Sequence, residues 1–333
     1  MNTTKMDQLF QLNNNNTIIP NMSHHENLLY GCDGQITNTI PPLEIYILTT
    51  IMFITILLSL FGNTLVILAI YRNKLLQTPT NAILCSLAVT DVLGPALRLF
   101  SLSVAMLRNR WDFGCTWCVM SSTLGIFFGA SSINHLCLIS IERCITIKYP
   151  YKSSQFITKV TVSIATGLVW VISLLSSLFP FFGIGFVAFQ PHLLDCEVYL
   201  KHDPMLGFLL GCVYFIFPFV VMVIVYTLIL YSVRKQVRKM RSYTLGSQED
   251  KHKQEVKTEM KALKTVMVVV GFFFFFWLPY FVTSALAPYM DISAEWKRCS
   301  FVMAYMNSCC NWIVYSVRNK QMRKAFKNIL HLN

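Results

Sequence analysis

The stretch IYILTTIMFITILLSLFGNTLVILAI, residues 45–70, decides the fold. It runs for 26 residues without a charge. An α-helix needs about 20 apolar residues to cross the hydrocarbon core of a bilayer, whereas a barrel strand needs about half as many, in alternation. Six further apolar blocks follow, at Ile83–Leu107, Val119–Ile141, Val160–Phe182, Met205–Tyr231, Val266–Leu286 and Phe301–Val317. The sequence therefore predicts an all-α membrane protein, a bundle of seven spanning helices. Its charged fraction agrees, at 13% of 333 residues against about a quarter in soluble domains.

Seven spans put the termini on opposite sides. With the N-terminus outside, the inner segments hold Arg72, Lys74, Arg143, Lys148, Lys152, Lys159, ten Lys/Arg from Arg234 to Lys264, and Arg318, Lys320, Arg323, Lys324 and Lys327. That is 21 of the 28 basic residues, which fixes this orientation by the positive-inside rule. The net charge of +12 thus belongs to a face that meets anionic lipid and a cytoplasmic partner, not nucleic acid. Residues 1–42 form a polar outer tail with three glycosylation triplets, headed by Asn2, Asn15 and Asn21. No signal peptide is evident at the start, so the first span is expected to direct insertion. Residues 43–317 form the membrane domain. In 318–333, Met322, Phe326, Ile329 and Leu330 recur at helical spacing among Lys/Arg, which predicts an amphipathic helix on the inner membrane surface.

Polar residues inside spans are costly and mark function. The first span holds Gly62-Asn63, the second Leu87-Ala88-Val89-Thr90-Asp91, and the fourth Trp170. The third starts at Cys118 and ends Glu142-Arg143-Cys144. The fifth has Pro218 and Tyr226, the sixth Phe273 and Phe276-Trp277-Leu278-Pro279, and the seventh Asn307-Ser308-Cys309-Cys310-Asn311-Trp312-Ile313-Val314-Tyr315. With a motif in every span, in order, residues 43–331 resemble the rhodopsin-like (class A) G-protein-coupled receptors. One departure stands out. The family's Asn-Pro-x-x-Tyr carries Trp312 in place of proline, so the weakness that proline gives a helix is missing.

The resemblance implies a set of roles. Glu142, Arg143, Tyr226, Asn311 and Tyr315 would form the coupling switch, with Glu259 clamping Arg143 at rest. The alternative is that Glu259 and Arg143 are unrelated surface charges. Ile133, Pro218 and Phe273 match the apolar connector, although plain core packing looks the same from sequence. Asp91, Ser132, Asn307 and Asn311 match the sodium pocket; a water-filled hydrogen-bond network is the alternative. Cys118–Cys196 matches the family disulfide. Cys115 would pair with Cys32, with Cys299 the rival partner for Cys32 and free thiols the alternative. The implied partners are an extracellular ligand, a heterotrimeric G protein and, as a further candidate, arrestin, at the plasma membrane.

The ligand is narrowed by what is missing. Gly125 stands where the family's amine receptors carry an aspartate, and Tyr305 where its photopigments carry a retinal-binding lysine. Finer likeness points to prostanoid receptors, through residues 87–94, Glu142-Arg143-Cys144 and the Gly185…Gln190-Pro191…Cys196 loop. Their carboxylate-binding arginine is replaced by Val302. Arg98, seven residues beyond Asp91 and so on the same helix face, would replace it and hold a lipid carboxylate bidentately. The alternatives for Arg98 are an internal salt bridge and snorkelling outward. Gly125, Phe128, Trp277, Tyr280, Val302 and Tyr305 complete the expected ligand site, with Phe127, Phe181 and Phe182 as apolar wall.

Three rival readings face the same sequence. A peptide receptor could use Lys297 and Arg298 at an outer vestibule. A transporter would need an internal repeat, and none is seen. An intramembrane enzyme would need an orienting acid beside His135 and Ser132, and none lies nearby in sequence, so the expectation is a receptor without catalytic residues or an organic cofactor.

Overall fold

The computed structural model describes residues 10–12, 18–20, 40–149, 151–179, 186–190, 193–199, 204–242, 248–287 and 289–331. Asn2, Asn15, Asn21, Cys32, Phe181, Phe182 and the Glu259 side chain lie outside what is described. Two short strands, β1 (Phe10–Leu12) and β2 (Ile18–Pro20), pair antiparallel in the tail.

Helix α1 spans Pro42–Arg72, α2 Pro79–Arg108, α3 Gly114–Lys148 and α4 Lys159–Ser177. The strands β3 (Phe186–Gln190) and β4 (Asp195–Tyr199) form an antiparallel hairpin before α5, which runs through Pro204–Gly211, Cys212–Ile216 and Phe217–Ser242. Helices α6 (Gln248–Leu286) and α7 (Ala294–Arg318) complete the bundle, and α8 (Lys320–Ile329) follows. Among the described residues six helices are long and apolar enough to cross a membrane. The remaining one of the seven, α7, has 25 residues, about 37 Å, but carries Glu295, Lys297 and Arg298 at its start and Asn307 and Asn311 within.

Local signals set the helix ends. Thr78 caps α2 ahead of Pro79, Thr158 and Thr161 cap α4 reciprocally, and Ser293 accepts from the Trp296 N–H at the start of α7. Asn109, at φ 49°, stops α2 in the left-handed conformation, which asparagine tolerates. Asn319 accepts from Gln321 N and Met322 N to start α8, which buries Met322, Ala325 and Phe326 and leaves its basic residues outward.

Sequence reading missed a widened π-helical turn in α2, at Pro95–Leu99. Proline has no N–H, so the Asp91 carbonyl four residues back loses its helical donor. The Ser59 hydroxyl of α1 donates to that carbonyl instead. A similar turn, Cys212–Ile216, interrupts α5.

Helix α3 runs through the middle, packed against α2, α4, α5, α6 and the hairpin. The buried side chains fall into two groups. One, toward the basic end, joins Leu65, Leu87, Leu136, Met222, Phe273 and Tyr315. The other, toward the hairpin end, joins Met52, Leu102, Cys118, Cys196, Phe301 and Val302. At the hairpin end a bidentate Glu44–Arg298 pair, at 2.6 and 2.8 Å, ties α1 to α7.

Candidate ligand cavity and switch

Between α3, α5, α6 and α7, under the β3–β4 hairpin, lies a cavity of about 560 Å³. That volume suits a small organic ligand. The disulfide Cys118–Cys196 holds the hairpin over it by tying β4 to the start of α3. The hairpin turn puts Leu194 at φ 57°, and Leu193 N and Leu194 N both donate to Gln190 O at 2.9 Å. Aromatic rings line the cavity. Trp277 stacks on Phe273 at 5.6 Å, Phe215 on Phe281 at 4.5 Å, and Tyr280 and Tyr305 each meet Phe301.

Of the expected ligand residues, Arg98, Gly125, Trp277, Tyr280 and Tyr305 line this cavity. Phe128 and Val302 do not. Phe128 fills the space that Gly94 leaves on α2, where an added Cβ would come within 3.2 Å of it. Val302 is buried in the hairpin-end core. Phe127 turns toward α4, its ring 5.5 Å from Trp170. Ile133 and Phe273, expected as connector residues, also line the cavity. Pro218 is buried, and its carbonyl lies 3.9 Å from Cys137 Sγ.

Arg98 differs most from expectation. It points inward as predicted, but its charge is already paired. Nη2 donates to Asp195 Oδ2 at 2.7 Å and to the Cys196 carbonyl at 3.3 Å, and the guanidinium sits over the Phe301 ring at 5.1 Å. Both partners are sealed, with side chains 6% and 1% exposed. Gly125 makes this possible, because a Cβ there would collide with Arg98 Nη1. The internal salt bridge is therefore the reading that holds. Glu197, also on β4, lies 3.9 Å from Arg98 and accepts from the Tyr280 hydroxyl at 3.0 Å. Burial pushes its carboxyl up, and the Arg98 charge only partly opposes this. Sequence reading missed both acids. The available signal was their place on either side of Cys196, a residue tethered to the top of α3.

Toward the basic end, Arg143 pairs with Glu142 at 2.7 Å and donates to Thr80 Oγ1, while Thr80 donates to Glu142 Oε1 at 2.8 Å. Thr80 was not foreseen. Tyr226 meets Ser140 at 3.0 Å, and Tyr315 is buried close by. Asn311 Nδ2 donates to Asp91 Oδ2 at 2.6 Å. Asp91 Oδ1, Ser132 Oγ, Asn307 Oδ1 and Asn311 Oδ1 are buried without partners. Of these, only Asn311 is in contact with Asp91, whose carboxyl also interacts with Ser308. A void of about 20 Å³ beside Asp91 is bordered by Ser308, Trp277 and Gly125, not by Ser132, Asn307 or Asn311. Trp312 occupies the space left by Gly62, where a Cβ would meet the indole, and makes an edge contact with Phe61 at 6.0 Å.

A family model described as 7 transmembrane receptor (rhodopsin family) matches residues 62–315. The chain belongs to the rhodopsin family of seven-transmembrane receptors. A Gq-coupled rhodopsin of Mizuhopecten yessoensis is 29% identical over 84% of this chain and 58% of its own length. The chain thus spans less than two thirds of that relative. Trace amine-associated receptor 13c of Danio rerio is 30% identical over 86% of this chain and 85% of its own. The crystal structure of squid rhodopsin superposes with a TM-score of 0.80 at 25% identity, covering 88% of this chain and 87% of that one. As a G-protein-coupled receptor the chain is a multi-pass membrane protein that signals, not an enzyme. These relatives lie outside the prostanoid branch, so the finer likeness is not what they support.

Proposed function

We propose that the receptor sits in the plasma membrane with its hairpin end outside, binds a small extracellular ligand in the cavity, and activates a heterotrimeric G protein at its basic end. The observation that carries this is the aromatic cavity whose lining includes Trp277, Phe273 and Ile133. A ligand there touches side chains that also pack into the core beside the switch. The cluster Glu142–Arg143–Thr80 is the resting lock, and Arg143 is where the G protein, and after it arrestin, would dock. The basic face of α8 would lie on anionic lipid. Asp91, Ser132, Asn307 and Asn311 would hold a sodium ion, which neutralises the carboxylate and steadies the resting packing.

The lipid-acid ligand remains a second reading, supported by Arg98 on the cavity wall with its Nε unpartnered. It would require a carboxylate to compete with Asp195 for the same guanidinium. A screen of amines, lipid acids, neutral compounds and peptides on cells expressing the receptor, read as cAMP and calcium, tests the cavity. Ser284 lines it, and the indole of Ser284→Trp would intrude on it. Responses should vanish in this variant at matched surface expression. Responses that survive the block would place the ligand elsewhere.

A further inference from the structure

The charges in the cavity wall answer one another. The lining carries two cations, Arg98 and Lys297, and two carboxylates, Glu197 and Asp291. Arg98 is held by Asp195 at 2.7 Å, outside the lining, and has Glu197 at 3.9 Å. Glu197 also accepts from Tyr280 and feels the charge of Lys297, while Asp291 is exposed to solvent. A charged ligand would have to break one of these pairs or be buried without a counter-ion, and both are costly.

Hydrogen bonds are what the wall leaves unmet. A guanidinium has five N–H donors. Nη2 of Arg98 serves Asp195 and the Cys196 carbonyl, whereas Nη1 lies over Gly125, 1.5 Å from where a Cβ would sit. Among the described residues Nη1 has no acceptor and the Tyr305 hydroxyl has no partner, and neither atom is sealed from the cavity. Gly125 and Tyr305 border both this cavity and the small void beside Asp91, which puts the two donors on one stretch of wall. Phe215, Phe273, Trp277 and Phe281 supply an uncharged aromatic surround.

We infer that the cavity takes an uncharged ligand: a largely apolar, ring-bearing carbonyl compound whose oxygen accepts from Arg98 Nη1 and the Tyr305 hydroxyl and whose body lies against Trp277 and Phe281. This rests on the reading that the cavity is the ligand site. The Arg98 charge is already spent, but its donors are not. A ligand carboxylate at Nη1 would stand beside Asp195 and Glu197, which repel it. An ammonium would meet the Arg98 charge and find Glu197 engaged by Tyr280. A neutral oxygen leaves the Arg98–Asp195 pair intact and gains a charge-assisted hydrogen bond.

Binding tests this apart from signalling. Purified full-length receptor is titrated with four isosteres on one skeleton, and thermal stabilisation is read: 2-acetylnaphthalene, 2-isopropenylnaphthalene, 2-naphthoate and 1-(2-naphthyl)ethylammonium. Fused-ring ketones of three and four rings extend the series. The ketones should stabilise the receptor at lower concentration than the hydrocarbon, the carboxylate and the ammonium. Tyr305→Phe should raise their half-maximal concentration about tenfold, which is ~1.4 kcal/mol, and leave the hydrocarbon and the melting point of the empty receptor unchanged. A carboxylate or ammonium that outranks the ketone, a ketone no better than the hydrocarbon, or a Tyr305→Phe receptor that binds ketones like the wild type would each overturn the inference, as would a series in which no ketone binds. Charged members that bind the wild type and are blocked by Ser284→Trp would leave the cavity reading standing without it. Ketone binding that survives Ser284→Trp would overturn both.

Discussion

Removing the Arg98 guanidinium should destabilise the receptor more than it weakens any ligand. At 2.7 Å and an effective dielectric near 20, the attraction to Asp195 is about 6 kcal/mol before desolvation is counted. Desolvation cancels much of that gain, so the measurable quantity is the cost of leaving one partner alone. Asp195 is 1% exposed, and its Oδ1 already lacks a hydrogen bond. Arg98→Ala would leave it as a buried, uncompensated carboxylate, at a cost of roughly 3–5 kcal/mol. Asp195→Ala should cost a similar amount, because Arg98 Nε is also unpartnered. The double variant Arg98→Met/Asp195→Leu, apolar and of similar bulk, should recover most of the loss. Thermal unfolding of the detergent-solubilised receptor provides the assay. Each single variant should melt at least roughly 6 °C below the wild type, taking about 2 °C per kcal/mol. A double-mutant cycle should then show strong coupling. Single variants melting with the wild type would refute the salt bridge and return Arg98 to the role of a free anion site.

Cys118→Ala should abolish surface expression or ligand response, because the hairpin loses its tether to α3; normal signalling at normal expression would count against this. Thr80→Ala should raise basal cAMP or calcium signalling, since Thr80 joins Arg143 to Glu142, and unchanged basal signalling would mean that the cluster is not the resting lock. Gly62→Val should cost about 1–3 kcal/mol by overpacking against Trp312, and Gly62→Val/Trp312→Ala should regain folded yield; no rescue would show that the clash lies elsewhere.

The spans could be read because lipid imposes one rule on a long stretch, and a block such as residues 45–70 satisfies it without help from its neighbours. Asp91 and Arg98 are both buried as expected, although the widened turn at Pro95–Leu99 breaks the helical period that suggested it for Arg98. What met Arg98 could not be read. Asp195 is 97 residues away on a hairpin whose register depends on a disulfide and a turn at Leu194. Gly125 was read as a missing charge, when its larger effect is the room it makes for a side chain from another helix. Phe128 and Val302 were misplaced because a position borrowed from a motif fixes depth in the membrane but not which neighbour is small. Gly94 beside Phe128 shows this, next to a turn that Pro95 widened. Thr80 escaped notice as a threonine near a helix start, where a capping role is the ordinary expectation.

The most direct test joins the two ends of the molecule. Receptor in lipid nanodiscs is mixed with purified heterotrimeric G protein and a compound active in the cell screen, and guanine-nucleotide exchange is timed. The wild type should accelerate exchange when the compound is added. Both Ser284→Trp, at the cavity, and Arg143→Ala, at the basic end, should lose that acceleration, although they lie at opposite ends of the bundle. Acceleration that persists in either variant would contradict a signal running from this cavity to Arg143.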